Sequence, residues 1–224
     1  MPASCVKSID SIIQDNSIQD VDFVKIDTQG SELLILQGGQ RELMPKVFGL
    51  QIEVEFIEMY EKQPFFRNVD EFMNASGFQL IDIRRHYWKR KDFYDYSGSG
   101  QLIFGDALYF KKTDVLKREL SCIKDNSYAR SKIIKCILTC IVYKMYDYAV
   151  SLLKTGLELG QLTDVEASEV FSEIKRFSSK ETFLNFHFNP KIYNGLMSLL
   201  EKFRPCSYLG WADSDKKIGN IRDV

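Results

Sequence analysis

The pattern of apolar and polar positions divides the chain near residue 113. Before that point, period-two and helical spacings alternate; after it, every strong apolar pattern has helical spacing. A strand is predicted over 21–26, rich in β-branched and aromatic residues. Gly30 permits the turn that follows, Ser31 is placed as the N-cap of a helix, and Glu32 sits at that helix's positive end. Leu33, Leu34, Ile35 and Leu36 make the helix apolar all round and predict deep burial, and Gly38-Gly39 stops it. Over 48–56 strict alternation predicts a second strand, with Leu50, Ile52, Val54 and Phe56 on one face and Gln51, Glu53 and Glu55 on the other. A helix over 68–75 is closed by Gly77, a third strand is predicted over 78–83, and a fourth runs from near 103 to 110.

Strand, helix, strand, helix, strand is the order of parallel pairing with helical crossovers, hence an α/β class. No helix separates the third and fourth strands, which predicts an antiparallel pair at the sheet edge, joined by a loop of about twenty residues. Beyond residue 113 the expected helices are 114–124, 128–144, 146–159, 164–178 and 190–203, the fourth announced by the capping box Thr163-Asp164-Val165-Glu166. The expected organisation is therefore an α/β unit over 1–112, an all-helical appendage over 113–205, and a polar, loose tail over 206–224.

Composition narrows the classes. The 224 residues are 45% hydrophobic and 27% charged, as in an ordinary soluble globular protein, and the net charge of -1 gives no footprint for nucleic acid. The most apolar run, 133–153, contains Lys135, Lys144 and Asp147, so it reads as two packed helices and not as a transmembrane segment. Five cysteines fit no zinc spacing. Their odd number, with no apolar leader, predicts a reducing, cytoplasmic setting and buried thiols at Cys136 and Cys140.

The candidate chemistry lies at the ends of the first two strands. Lys25 and Asp27 share a face of the first, and Glu53 and Glu55 share a face of the second. Ligands of open parallel sheets bind at the strands' carboxyl ends. Such acids suit a general base, a divalent metal site or a clamp on substrate hydroxyls. The same spacing also suits a purely structural network, with Lys25 on Glu53 and Asp27 capping the helix at Gly30 and Ser31. The run Arg84-Arg85-His86-Tyr87-Trp88-Lys89-Arg90-Lys91 reads as a basic, aromatic loop. It suits phosphate or sugar ligands or an anionic membrane surface, or is simply a solvated loop. His86 is a candidate base within it; His187 reads as structural.

These motifs resemble one family. Val21-Asp22-Phe23-Val24-Lys25-Ile26-Asp27, the Gly30-Ser31-Glu32-Leu33 turn, Leu36-Gln37-Gly38 and Leu50-Gln51-Ile52-Glu53-Val54-Glu55-Phe56 are similar to the core of the FkbM-type S-adenosylmethionine-dependent methyltransferases. Tyr60-Glu61-Lys62-Gln63-Pro64-Phe65-Phe66, Gly77-Phe78 and Gly105-Asp106-Ala107-Leu108-Tyr109-Phe110 extend the likeness. The resemblance implies a Rossmann-like class I methyltransferase sheet, of which the strands here are four to seven with an antiparallel closing pair. It implies O-methylation of a small-molecule or glycan hydroxyl. Asp27 and Glu53 are then the catalytic candidates, and Lys25, Glu55, His86 and Trp88 the acceptor-binding ones. S-adenosylmethionine is the implied cofactor, with a divalent metal as a candidate addition. Gln29 stands where many members carry an acid. The family's first three strands, which hold the cofactor, have no counterpart ahead of residue 21. The expectation is a truncated domain that binds S-adenosylmethionine weakly or not at all, with an open sheet edge suited to self-association. The alternative is a non-catalytic scaffold derived from a methyltransferase.

Overall fold

The computed structural model describes residues 6–90, 100–181 and 217–221. The element order is α1 (Ile9–Asp15), β1 (Phe23–Ile26), α2 (Glu32–Gln37), α3 (Leu43–Lys46), β2 (Gly49–Glu55), α4 (Phe66–Ala75), β3 (Phe78–Arg90), β4 (Gln101–Lys111), α5 (Thr113–Cys122), α6 (Asn126–Val142), α7 (Tyr146–Glu158), α8 (Asp164–Glu181) and β5 (Lys217–Ile221). The strands form one mixed sheet in the order β1-β2-β4-β3-β5. β1 and β2 are parallel, as the helical crossover requires, and β4 is antiparallel to both β2 and β3. β2 and β3 therefore run the same way with β4 inserted between them, and β1 is an edge among the described residues.

Alternation on β4 separates two cores, with Ala107 and Tyr109 facing one and Leu108 and Phe110 the other. Leu50, Ile52 and Val54 join Ile26, Leu36, Val69, Met73, Phe78, Ala107 and Tyr109 under the helices that precede β3. On the other face, Phe48, Leu108 and Phe110 pack with Leu116, Ile133, Ile137, Leu152 and Leu153. The helices after residue 112 thus form a layer against the sheet. Cys136 and Cys140 are buried there as free thiols, as expected. Thr163 and Glu166 exchange the capping-box bonds. The expected helix over 190–203 lies outside the described residues.

The structure corrects several local expectations. Ser31 makes no side-chain cap. α2 is not buried all round: Leu36 is fully buried but Leu34 is 70% exposed, because a six-residue helix at a sheet margin presents only one stripe to the core. The run Arg84 to Arg90 is not a loop. It extends β3 along β4, with bulges at Leu80/Asp82 and His86/Tyr87. The mixed basic and aromatic composition looks like loop polarity, and it is pairing with β4 that holds the run in a strand. The membrane-surface reading of this run loses its loop, since His86 and Lys89 are each only 7% exposed. Within the stretch expected to be a loose tail, Lys217–Ile221 pair in parallel with β3. No helix among the described residues is long and apolar enough to cross a membrane.

The start of β1 is tied to α6 by charge. Lys132 Nζ donates to Asp20 Oδ1 (2.6 Å), the Val21 carbonyl (3.0 Å) and Asp22 Oδ1 (3.0 Å), and Lys135 bridges the same two acids. Burial alone would raise the Asp20 carboxyl, but the bonds from Lys132 and Lys135 outweigh it and hold it at about 2. A depressed value means stability that is present above the ordinary carboxylate range and lost as pH falls through about 2. The thermal midpoint is expected to drop between about pH 4 and pH 2, and Asp20→Asn should flatten that drop. An identical acid profile in the variant would contradict this.

Candidate active site

The site begins at the turn leaving β1. Gln29 (φ 56°) and Gly30 (φ 107°) both take left-handed backbone conformations and reverse the chain sharply. A Cβ on Gly30 would stand 3.3 Å from the Tyr60 ring, so the turn is also closely covered. The orphaned amides of this turn are satisfied by Glu32, which is fully buried. Its Oε1 accepts from the Thr28 amide (2.7 Å) and hydroxyl (2.9 Å), and its Oε2 accepts from the Gly30 amide (2.9 Å). Glu32 does what the sequence assigned to Ser31 and Asp27, because a carboxylate two residues on can accept several amides at once.

The Glu32 anchor places a negative charge beside β2. Glu53 and Glu55 project from the same face of that strand, and one carboxylate oxygen from each of Glu32, Glu53 and Glu55 lies within 4.8 Å of the others. Glu55 is only 1% exposed, and its Oε1 accepts no hydrogen bond. Burial, then the charges of Asp27, Glu32 and Asp106, raise Glu53 to about 7. Burial, then Glu32 and Glu53, raise Glu55 to about 8. Carboxyls that titrate near neutrality are suited to taking up and releasing protons under ordinary conditions.

Lys25 and Asp27 stand at the outer margin of this face. Lys25 Nζ donates to Asp27 Oδ2 at 3.1 Å, with side chains 55% and 43% exposed. The expected buried pair between Lys25 and Glu53 is therefore absent. Lys25 points to solvent and takes the nearer acid two residues along its own strand, which spares a desolvated ammonium.

β4 and β3 carry the face further. Glu53 is in register with Asp106, whose Oδ1 accepts from Gln51 Nε2 (3.2 Å) and whose Oδ2 lies 3.4 Å from His86 Nε2. Burial pushes Asp106 up, but the bonds from His86 and Gln51 outweigh it and hold its carboxyl below the ordinary value. His86 stacks on Phe104 (centroids 4.5 Å apart, planes at 6°), and Trp88 meets the edge of the same ring at 6.1 Å. His86 Nδ1 and Trp88 Nε1 are buried without hydrogen-bond partners. At the other end, the Tyr143 hydroxyl donates to Gln51 Oε1 (3.2 Å), marking where the polar face gives way to the apolar one beneath the helices.

The structure thus brings Glu53 and Glu55 together, sets Asp27 close enough to raise Glu53, and joins His86 to the cluster through Asp106. Trp88 meets the cluster through Phe104. The sequence does not single out Asp106, Gln51 or Phe104 as site residues, whereas Glu32 matches the family motif, with a positioning role implied. Asp106 had a signal, being the one charge in the run from Leu102 to Phe110. Gln51 had another, since it shares a face with Glu53.

No curated protein and no solved structure matches the chain significantly. The family model for the methyltransferase FkbM domain matches residues 4–80, a stretch that runs from α1 to the start of β3 and includes Asp27, Glu32, Glu53 and Glu55. That match, over residues 4–80, is to the family that the chain's motifs resemble.

Proposed function

We propose that the polar face binds a hydroxyl group of a small molecule or glycan and serves O-methyl transfer from S-adenosylmethionine. The observation that carries this reading is Glu53: a carboxylate raised to about 7, at the carboxyl end of a parallel strand, within the matched stretch. Glu53 takes the acceptor's hydroxyl proton. Asp106 and His86 lie beside it as further polar partners for the acceptor, and the Phe104 and Trp88 rings suit the apolar face of a sugar. Asp27 is already paired with Lys25 and lies open to solvent, which leaves Glu53 as the base of this reading. When bound, the donor supplies a methyl group on a positively charged sulfur, which suits a margin lined by Asp27 and Glu53. The antiparallel β3–β4 pair supports reading β1, β2, β3 and β4 as strands four to seven of the family's sheet.

The test is transfer of a labelled methyl group from S-adenosylmethionine, supplied at high concentration because weak cofactor binding is expected, to a panel of hydroxylated sugars and natural-product alcohols. Transfer should rise with pH through about 7, as Glu53 loses its proton. No transfer to any acceptor, with Glu53 titrating at the ordinary carboxylate value, would contradict the reading and favour the non-catalytic scaffold.

A further inference from the structure

We propose that Glu32, Glu53 and Glu55 form a binding site for one hard divalent cation. An acidic cluster alone would not support this. The second observation is Glu55 Oε1, an oxygen on a side chain 99% removed from solvent that accepts no hydrogen bond while its carboxylate faces two others. Buried polar atoms almost always have a partner, and a buried carboxylate with an unpartnered oxygen, beside two more carboxylates, calls for a positive one.

The dimensions suit the proposal. One oxygen from each residue falls within 4.8 Å of the other two. Two oxygens on a single Ca2+ at its usual bond lengths stand at most about 5 Å apart, and on Mg2+ at most about 4 Å. The separations are therefore within the size that a single Ca2+ spans. The anchoring is uneven in a useful way. Glu32 is fixed by three hydrogen bonds, of which Oε2 takes one, leaving that oxygen a free lone pair. Glu55 is fixed by burial. Only the half-buried Glu53 has room to adjust. An all-oxygen donor set with no histidine or thiol selects calcium, magnesium or manganese over zinc.

This site needs only the three carboxylates and does not rest on methyl transfer. A cation and the acceptor's proton would compete for Glu53, so binding is measured without any acceptor. The full chain, stripped with chelator, is titrated calorimetrically with CaCl2, MgCl2 and MnCl2 in separate runs. One saturable site per chain is expected, tightest for Ca2+ or Mn2+. Glu55→Gln should weaken it at least about tenfold, while Glu42→Gln, outside the cluster, leaves it unchanged. A thermal melt checks that each variant folds, and Glu53→Gln replaces Glu55→Gln if the latter does not. No saturable binding up to about 5 mM of any of the three cations, or unchanged binding in the folded cluster variant, would overturn the site. Either result leaves the methyl-transfer test as it was.

Discussion

Glu53→Gln is expected to lower methyl transfer by about 10²–10⁴-fold and, in the metal-free protein, to raise stability at pH 8. Both effects come from one carboxyl. Gln keeps the shape and the hydrogen-bonding reach of the side chain but cannot accept the acceptor's proton. The stability effect follows from where the proton is held. Burial and three neighbouring acids lift Glu53 from 4.5 to about 7 in the folded state. Between those values the native protein keeps a proton that the unfolded chain has released. The contribution of Glu53 to stability is therefore full below about 4.5 and drains away as pH rises through about 7. Above that the wild type carries a crowded, partly desolvated charge that the variant lacks. Allowing for the solvent that reaches this half-buried group, the variant should gain about 1–2 kcal/mol at pH 8 and nothing at pH 4. Denaturant melts at the two pH values measure it. A variant that loses stability equally at both would mean that Glu53 is held by a partner and not pressed by its neighbours.

The largest structural loss is expected from Lys111→Met, at about 3 kcal/mol. Lys111 lies at the end of β4, 1% exposed, and its Nζ donates to the Met44 carbonyl (2.9 Å), the Pro45 carbonyl (3.0 Å) and both oxygens of Glu119 (3.0 and 2.8 Å). Burial presses its pKa down despite the pull of Glu119. One ammonium thus joins α3, β4 and α5, and with them both helical layers. Methionine fills much the same volume but leaves two carbonyls and a carboxylate without their donor. Glu119→Gln should cost less, because the Glu119 side chain is 36% exposed and can turn to water. For a chain of this size the Lys111 change corresponds to a fall of roughly 6–12 °C in melting temperature. Equal losses in the two variants would show that the ion pair, and not the carbonyl contacts, carries the effect.

What could be read from the sequence was local and periodic. Alternation along β2 put Gln51, Glu53 and Glu55 on one face and Leu50, Ile52 and Val54 on the other, and both faces are as expected. The four helices after residue 112 that fall among the described residues begin and end close to their expected positions, because their apolar spacing is strong. What could not be read depended on partners distant in sequence. β3 continues to Arg90 only because β4 lies beside it, and Phe104 gives His86 a surface to stack on. Isolated, Arg84 to Arg90 looks like a polar loop. The pairing of β5 depends likewise on β3, since its own stretch is polar and contains Gly219. Glu32 was legible as a helix-end charge but not as the acceptor of the whole turn, a role that follows from the left-handed Gln29 and Gly30. The insertion of β4 between β2 and β3, which sets Asp106 opposite Glu53, has no signature in a single strand's pattern.

The central claim is that burial and crowding set the Glu53 carboxyl near neutrality, ready to take a proton. Carboxyl carbon NMR of the metal-free protein, labelled at glutamate and titrated from about pH 4 to pH 9, tests it most directly. Two glutamate steps are expected far above the ordinary carboxylate range, near 7 and near 8. In Glu53→Gln one step should vanish and the remaining Glu55 step move down, since Glu53 helps to raise it. Glutamates that all finish titrating below about pH 5.5 would contradict the account.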